Sequence, residues 1–308
     1  MSEIATALAP IFILIIMGFV LRHRTMIAEE FWLPCERLNY FYLFPALMFS
    51  QIATASYGGL SLRLMAVTLL GAVLVGGAIL YAWRLFRPQP GPVFSSVLQG
   101  ALRPNTYVGV AAATALYGEA GLTVTAVAIA IMIPLLNVGS IVVLAIHGND
   151  GPVNKGHLAK SILTNPVILS VVAGALVNGA GLPIPKTIGS ILTVLGGASL
   201  PLGLLAVGAG LDVAAARVSH GPVMQSSIVK LALVPLATYA IGSVVGLRGV
   251  PLSAMVLFNA LPCTPSAYIM ARLLGGDHRV AAGIISIQTA LAAVTIPIML
   301  VALTWRPG

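Results

Sequence analysis

The chain has 308 residues, of which 58% are hydrophobic and 8% charged, and it carries a net charge of +8. A mean hydropathy of +1.01 excludes a soluble domain, in which charged residues make up about 25%. The basic residues lie in short breaks between apolar runs, which excludes a nucleic-acid surface and makes them markers of membrane topology.

A helix crosses the hydrocarbon core with about 20 apolar residues. The sequence predicts ten such spans, near 5–22, 32–54, 63–83, 93–117, 121–146, 161–180, 187–211, 223–246, 252–274 and 281–304. A β-barrel would alternate over about 10 residues instead of staying apolar. Only Glu3 precedes the first run and no small-residue cleavage site follows it, so it reads as a retained helix. The longest hydrophilic connection, 147–160, is rich in Gly, Asn, Asp and Pro and reads as a cytoplasmic linker. With both termini outside, Arg22, Arg24, Arg84, Arg87, Lys155, Lys160, Arg217 and Arg279 fall on the inner side. Arg63, Lys186, Arg248 and Arg306 then lie outside, so the bias favours that orientation.

An internal repeat divides the chain. Pro10, Gly18 and Pro45 recur as Pro166, Gly174 and Pro201, at an offset of 156. Near an offset of 158, Pro104, Thr106, Gly118 and Glu119 meet Pro262, Thr264, Gly276 and Asp277. The expected organisation is therefore a first repeat at 1–146, a linker at 147–160 and a second repeat at 161–308. Five spans per half is an odd number, so the second half enters the membrane from the opposite side. Inverted repeats of this kind characterise secondary transporters.

Spans four and nine carry Pro104, Pro262 and Pro265 about 10 residues in, close to the bilayer midplane at about 1.5 Å per residue. Proline removes a helical N–H, and the carbonyls it frees must face protein or a watery cavity. Half-helix N-termini at such breaks favour anions. Arg103, Asn105 and Thr106 flank one break; Asn259, Cys263 and Thr264 flank the other. An arginine at midplane needs a partner, and no acid in spans three to five offers itself. Arg103 is thus a candidate for gripping a substrate carboxylate; the alternative is a structural arginine bonded to carbonyls at the break. Asn137, after Ile-Pro in span five, and Asn259 either line the same cavity or form interhelical hydrogen bonds. Lys230 lies seven residues from the inner end of span eight and reads as a snorkelling side chain. The five histidines fall in loops or at span ends, where solvation is the default. Neither Cys35 nor Cys263 neighbours a metal-ligand cluster, and no metal or cofactor is implied. No nucleophile and base converge at one depth, so an intramembrane enzyme is disfavoured. A channel or membrane sensor on the same scaffold stands as the alternative to a carrier.

At these residues the sequence resembles the auxin efflux carrier family, which includes bacterial permeases and the plant PIN carriers. RPNTYVGVAAATALYGEAGL looks like that family's fourth-helix signature and ALPCTPSAYIMARLLGGD like its ninth; LNYFYLFPALMFSQIA and TNPVILSVVAGALVNGAGLPIP look like its second and sixth helices. The resemblance implies an all-α membrane protein of ten transmembrane helices in two inverted five-helix repeats, similar to the bile acid/sodium symporter fold. It also implies scaffold and transport domains each assembled from both repeats, an elevator-like movement, and a site for carboxylate-bearing anions beside the crossing helices. Pro104 and Pro262 carry over as crossover prolines and Asn105 as the substrate-contacting asparagine. The long loop and the arginine-free motif of plant members are not matched here, which argues against auxin. Malonate and malate permeases among bacterial members point to a small dicarboxylate in a bacterial inner membrane; a homodimer is compatible with the same resemblance.

Overall fold

A computed structural model describes residues 2–55, 60–148, 163–212, 214–215 and 220–303. Lys155, Lys160, Arg217 and Arg306, used above for topology, and most of the predicted linker 147–160 lie outside them. The described residues fold into helices. In chain order these are α1 (Ser2–His23), α2 (Glu29–Leu38), α3 (Phe44–Thr54), α4 (Leu62–Phe86), α5 (Gly91–Leu102), α6 (Thr106–His147) and α7 (Pro166–Gly179). They continue with α8 (Lys186–Ala209), α9 (His220–Ile228), α10 (Val234–Val244), α11 (Gly249–Ala260), α12 (Ser266–Leu273) and α13 (His278–Leu303).

Six helical stretches among the described residues are long and apolar enough to cross a membrane without interruption: Glu3–His23, Leu62–Phe86, Thr106–His147, Lys186–Ala209, His220–Val244 and His278–Leu303. The other predicted spans differ for local reasons. Span two carries Glu36 and Arg37 in its first half. Spans four and nine are broken at their prolines, and span six begins among residues outside the description. The second half of span four runs into span five as one 42-residue helix, kinked at Gly118 with φ 59° and ψ −146°. That region of backbone space is essentially closed to residues with a Cβ.

Two helix pairs join through a single widened turn. Phe44 N–H bonds the Asn39 carbonyl between α2 and α3, and Val234 N–H bonds the Val229 carbonyl between α9 and α10. Pro45 and Pro235 follow at once, and the wider turn absorbs their missing N–H groups without breaking the helix. Asn39, in the first of these turns, is buried and bonds Ser199 of α8 through both amide atoms, at 3.0 and 2.7 Å.

The exterior is apolar: Leu74, Val194 and Val244 are 71%, 74% and 87% exposed, as a lipid-facing surface requires. The closest packing joins α1 to α8 and α3 to α7. Small residues make it possible, because without side chains helix backbones approach closely. A Cβ on Gly18 would collide with the Leu205 carbonyl, one on Gly208 with the Ile15 carbonyl, and one on Gly174 would lie 2.9 Å from the Phe49 carbonyl oxygen.

Candidate functional site

α5 ends because Pro104 forbids the helical conformation to the residue before it; Arg103 accordingly takes φ −83° and ψ 117°. The chain restarts under Asn105, whose side chain accepts from the N–H groups of Tyr107 and Val108 at 3.2 and 3.4 Å and so caps α6. The same happens in the second half: Leu261, with ψ 145°, precedes Pro262, and α12 begins after Pro265. The two breaks meet. Pro104 and Cys263 pair as one antiparallel bridge, and Asn105 N–H donates to the Pro262 carbonyl at 2.8 Å. Cys263 N–H donates to Gln288 Oε1 of α13 at 2.9 Å; Gln288 Nε2 donates to Ser226 Oγ, which donates to the Val97 carbonyl. The bared ends of the broken spans are thus held by side chains from α9 and α13.

Arg103 is 7% exposed. Its Nη1 donates to Ser140 Oγ at 3.1 Å and faces Met270 Sδ at 2.8 Å, and its Nη2 donates to Ser266 Oγ at 2.9 Å. Its Nε has no partner among the described residues. The Tyr40 phenol lies within electrostatic reach of the guanidinium. Of the two sequence alternatives for Arg103, the bonds seen are to hydroxyls and a thioether rather than to carbonyls at the break. Among the described residues the ion pair found is Arg22 with Glu29 at a helix end, so the Arg103 charge is not neutralised by an acid. Asn105 Nδ2 and Gln99 Nε2 are also buried donors without partners among the described residues. The stretch 99–105 therefore carries a buried positive charge and several unmet polar atoms, namely Arg103 Nε, Asn105 Nδ2 and both amide atoms of Gln99.

The remaining predicted residues fall as follows. Thr106, half-buried, opens α6, and Thr264 Oγ1 lies 3.2 Å from Ser266 Oγ, which bonds Arg103. Cys263 is buried in the bridge. Asn137 is half-buried one turn before Ser140 on α6. Asn259 is fully buried and donates to Thr238 Oγ1 of α10 at 2.8 Å, an interhelical bond. Lys230 requires a correction. It does not snorkel: it is 0% exposed, and its Nζ donates to the Leu102 carbonyl, the last of α5, at 3.3 Å. The widened turn Val229–Leu233 and the broken end it faces turn the side chain inward. His147, expected in solvent, instead ends α6 against Arg84 and Tyr81. Lys230, Gln99, Ser140, Ser266 and Gln288 are the site residues sequence reasoning did not select; a polar residue inside an apolar run was the available signal. Two cavities lie elsewhere, an apolar one of about 70 Å³ lined by Ile129, Ile133, Val167 and Val171, and one of about 390 Å³ lined by Gln51, Thr54, Glu119 and Thr123.

Substituting Asn105→Ala removes the α6 cap, which typically costs about 1 kcal/mol. The expected result is a lower melting temperature in detergent.

The chain matches the model of the family described as membrane transport protein at residues 3–158 and 152–300. It belongs to the auxin efflux carrier family of membrane transport proteins. The transporter is 25% identical over 296 residues to an uncharacterized transporter of Methanothermobacter thermautotrophicus, covering 95% of this chain and 96% of that one. It is 23% identical over 300 residues to the uncharacterized transporter YfdV of Escherichia coli strain K12, covering 94% and 95%; YfdV of Shigella flexneri matches to the same extent. These relatives are named as transporters rather than enzymes. In the transporter, the meeting of the two breaks places a buried cation and unmet side-chain N–H donors on one short stretch, an arrangement that attracts negative charge.

Proposed function

We propose that the transporter carries small organic anions, mono- or dicarboxylates such as malonate or malate, by elevator-type alternating access around the crossing of spans four and nine. The observation that carries this reading is Arg103: a buried guanidinium with an unmet Nε, no acid paired to it among the described residues, and the unmet amide donors of Gln99 and Asn105 on the same short stretch. A carboxylate supplies the acceptors these groups lack, and a planar guanidinium suits it in particular. Asn105, Thr106, Asn137, Cys263 and Thr264 surround or adjoin that position in this reading.

The reading includes ten spans in two inverted repeats, with scaffold and transport domains drawn from both. Reciprocal packing supports it. Gly18 of α1 meets Leu205 of α8, while Gly174 of α7 meets Phe49 of α3, and both members of the second pair precede or follow the first by 156. Gly118–Glu119 and Gly276–Asp277 likewise both sit where a broken span turns into the next long helix. The reading places the protein in a bacterial inner membrane with both termini outside, and admits a homodimer.

Counterflow tests it. Proteoliposomes preloaded with malonate are expected to accumulate labelled malonate transiently above equilibrium. Flux indifferent to internal malonate marks a pore, and absence of both flux and binding for every small mono- and dicarboxylate overturns the reading. Orientation is checked with Lys155→Cys, since Cys35 and Cys263 are both buried. That thiol is expected to resist an impermeant maleimide in intact cells; ready labelling inverts the topology.

A further inference from the structure

Two basic side chains, not one, stand at the break of α5. Arg103 follows Leu102 directly, and the Leu102 carbonyl receives the ammonium of Lys230. Lys230 is 0% exposed and Arg103 7% exposed. Both lie within electrostatic reach of Cys263, which sits in the bridge where the broken spans meet. Neither has an acid partner among the described residues.

A buried charge is normally paired, because leaving it alone in a low-dielectric interior is costly. The Leu102 carbonyl answers one of the three ammonium donors of Lys230, and it does not neutralise the charge. Added to Arg103 and the positive ends of α6 and α12, a protonated Lys230 brings the charge around the break of α5 to about two units, with compensation to come from outside the described residues.

Resting on the carboxylate reading above, the geometry points to Lys230 as a specificity-determining residue that sets a preference for doubly charged over singly charged carboxylates. It does so through its field, not by touching cargo: its one partner among the described residues is a backbone carbonyl. A singly charged ligand leaves one of the two cations uncompensated; a dicarboxylate compensates both. Coulomb's law gives the scale: for charges about 10 Å apart at an effective dielectric of about 20, one extra unit of ligand charge is worth about tenfold in affinity.

The test compares malonate with propionate, ligands of matched length that differ by one carboxylate, binding to purified transporter by calorimetry. The wild type is expected to bind malonate about tenfold tighter than propionate. Lys230→Gln keeps a hydrogen-bond donor for the Leu102 carbonyl and removes the charge, and is expected to collapse that ratio to below about threefold, mainly by weakening malonate. Lys230→Arg is expected to retain the preference. A purely structural lysine would weaken both ligands alike and leave the ratio intact, which overturns the assignment. A wild-type ratio near one overturns it without any variant, so a poorly folding Lys230→Gln does not shield it. Failure of both ligands to bind the wild type overturns the assignment, and it is distinguishable from failure of the carboxylate reading, for which every small mono- and dicarboxylate must fail to bind or move.

Discussion

Arg103→Ala is expected to weaken malonate binding by at least about tenfold and to abolish counterflow. A hydrogen bond to a charged group contributes about 1.5–3 kcal/mol, and each 1.4 kcal/mol is about tenfold, so loss of one such bond costs about tenfold to a hundredfold and loss of a two-pronged grip about a hundredfold or more. The substitution also unties a knot of helices, because Arg103 bonds Ser140 on α6 and Ser266 at the start of α12. Stability must therefore be read beside binding. Arg103→Lys separates the two roles: an ammonium keeps the charge but not the planar fork. It is expected to leave the melting temperature near that of wild type while malonate affinity stays reduced. Arg103→Ala that binds malonate with wild-type affinity removes the residue from the site.

The second large effect is structural. Gly18→Ala and Gly208→Ala are expected to prevent recovery of folded, monodisperse protein, because each new Cβ meets a backbone carbonyl, of Leu205 and Ile15 respectively. A flexible side chain can swing aside; a carbonyl inside a helix cannot. Overpacking commonly costs about 1–3 kcal/mol and more when nothing yields, and these two substitutions belong at the upper end. Gly174→Ala, at 2.9 Å from the Phe49 carbonyl oxygen, is expected to fold with a clearly lowered melting temperature. Gly77→Ala meets nothing within 4 Å and is expected to be neutral or slightly stabilising, since alanine is the better helix former. Size-exclusion profiles and melting curves rank the four. Equal behaviour of Gly18→Ala and Gly77→Ala refutes the close approach.

Much of this was legible in the sequence, and the reason is physical. Proline alone does not break a span, since Pro10, Pro134, Pro201 and Pro297 sit inside continuous helices; polar neighbours beside Pro104 and Pro262 are what single out these two breaks in the sequence. Asn105 was readable as polar company at a break, though not as the cap of α6. Lys230 was misread because distance from a span end says nothing about which way a side chain faces; the widened turn and the waiting Leu102 carbonyl, 128 residues away, decide that. Ser140 and Ser266 escaped because serine is unremarkable in membrane helices, and only their shared partner reveals them. The 42-residue α6 hides a loop expected near 118–120, since glycine permits a sharp bend that needs no polar connection.

The bond from Asn105 N–H to the Pro262 carbonyl ties the two interrupted spans together where they break. In the proposed cycle neither can shift alone, so the cradle travels whole, keeping the same grip at both ends of its journey. In that cycle a vehicle whose hold is equal on departure and arrival has no preferred heading of its own, and the electrochemical gradient acting on its cargo sets the direction of traffic.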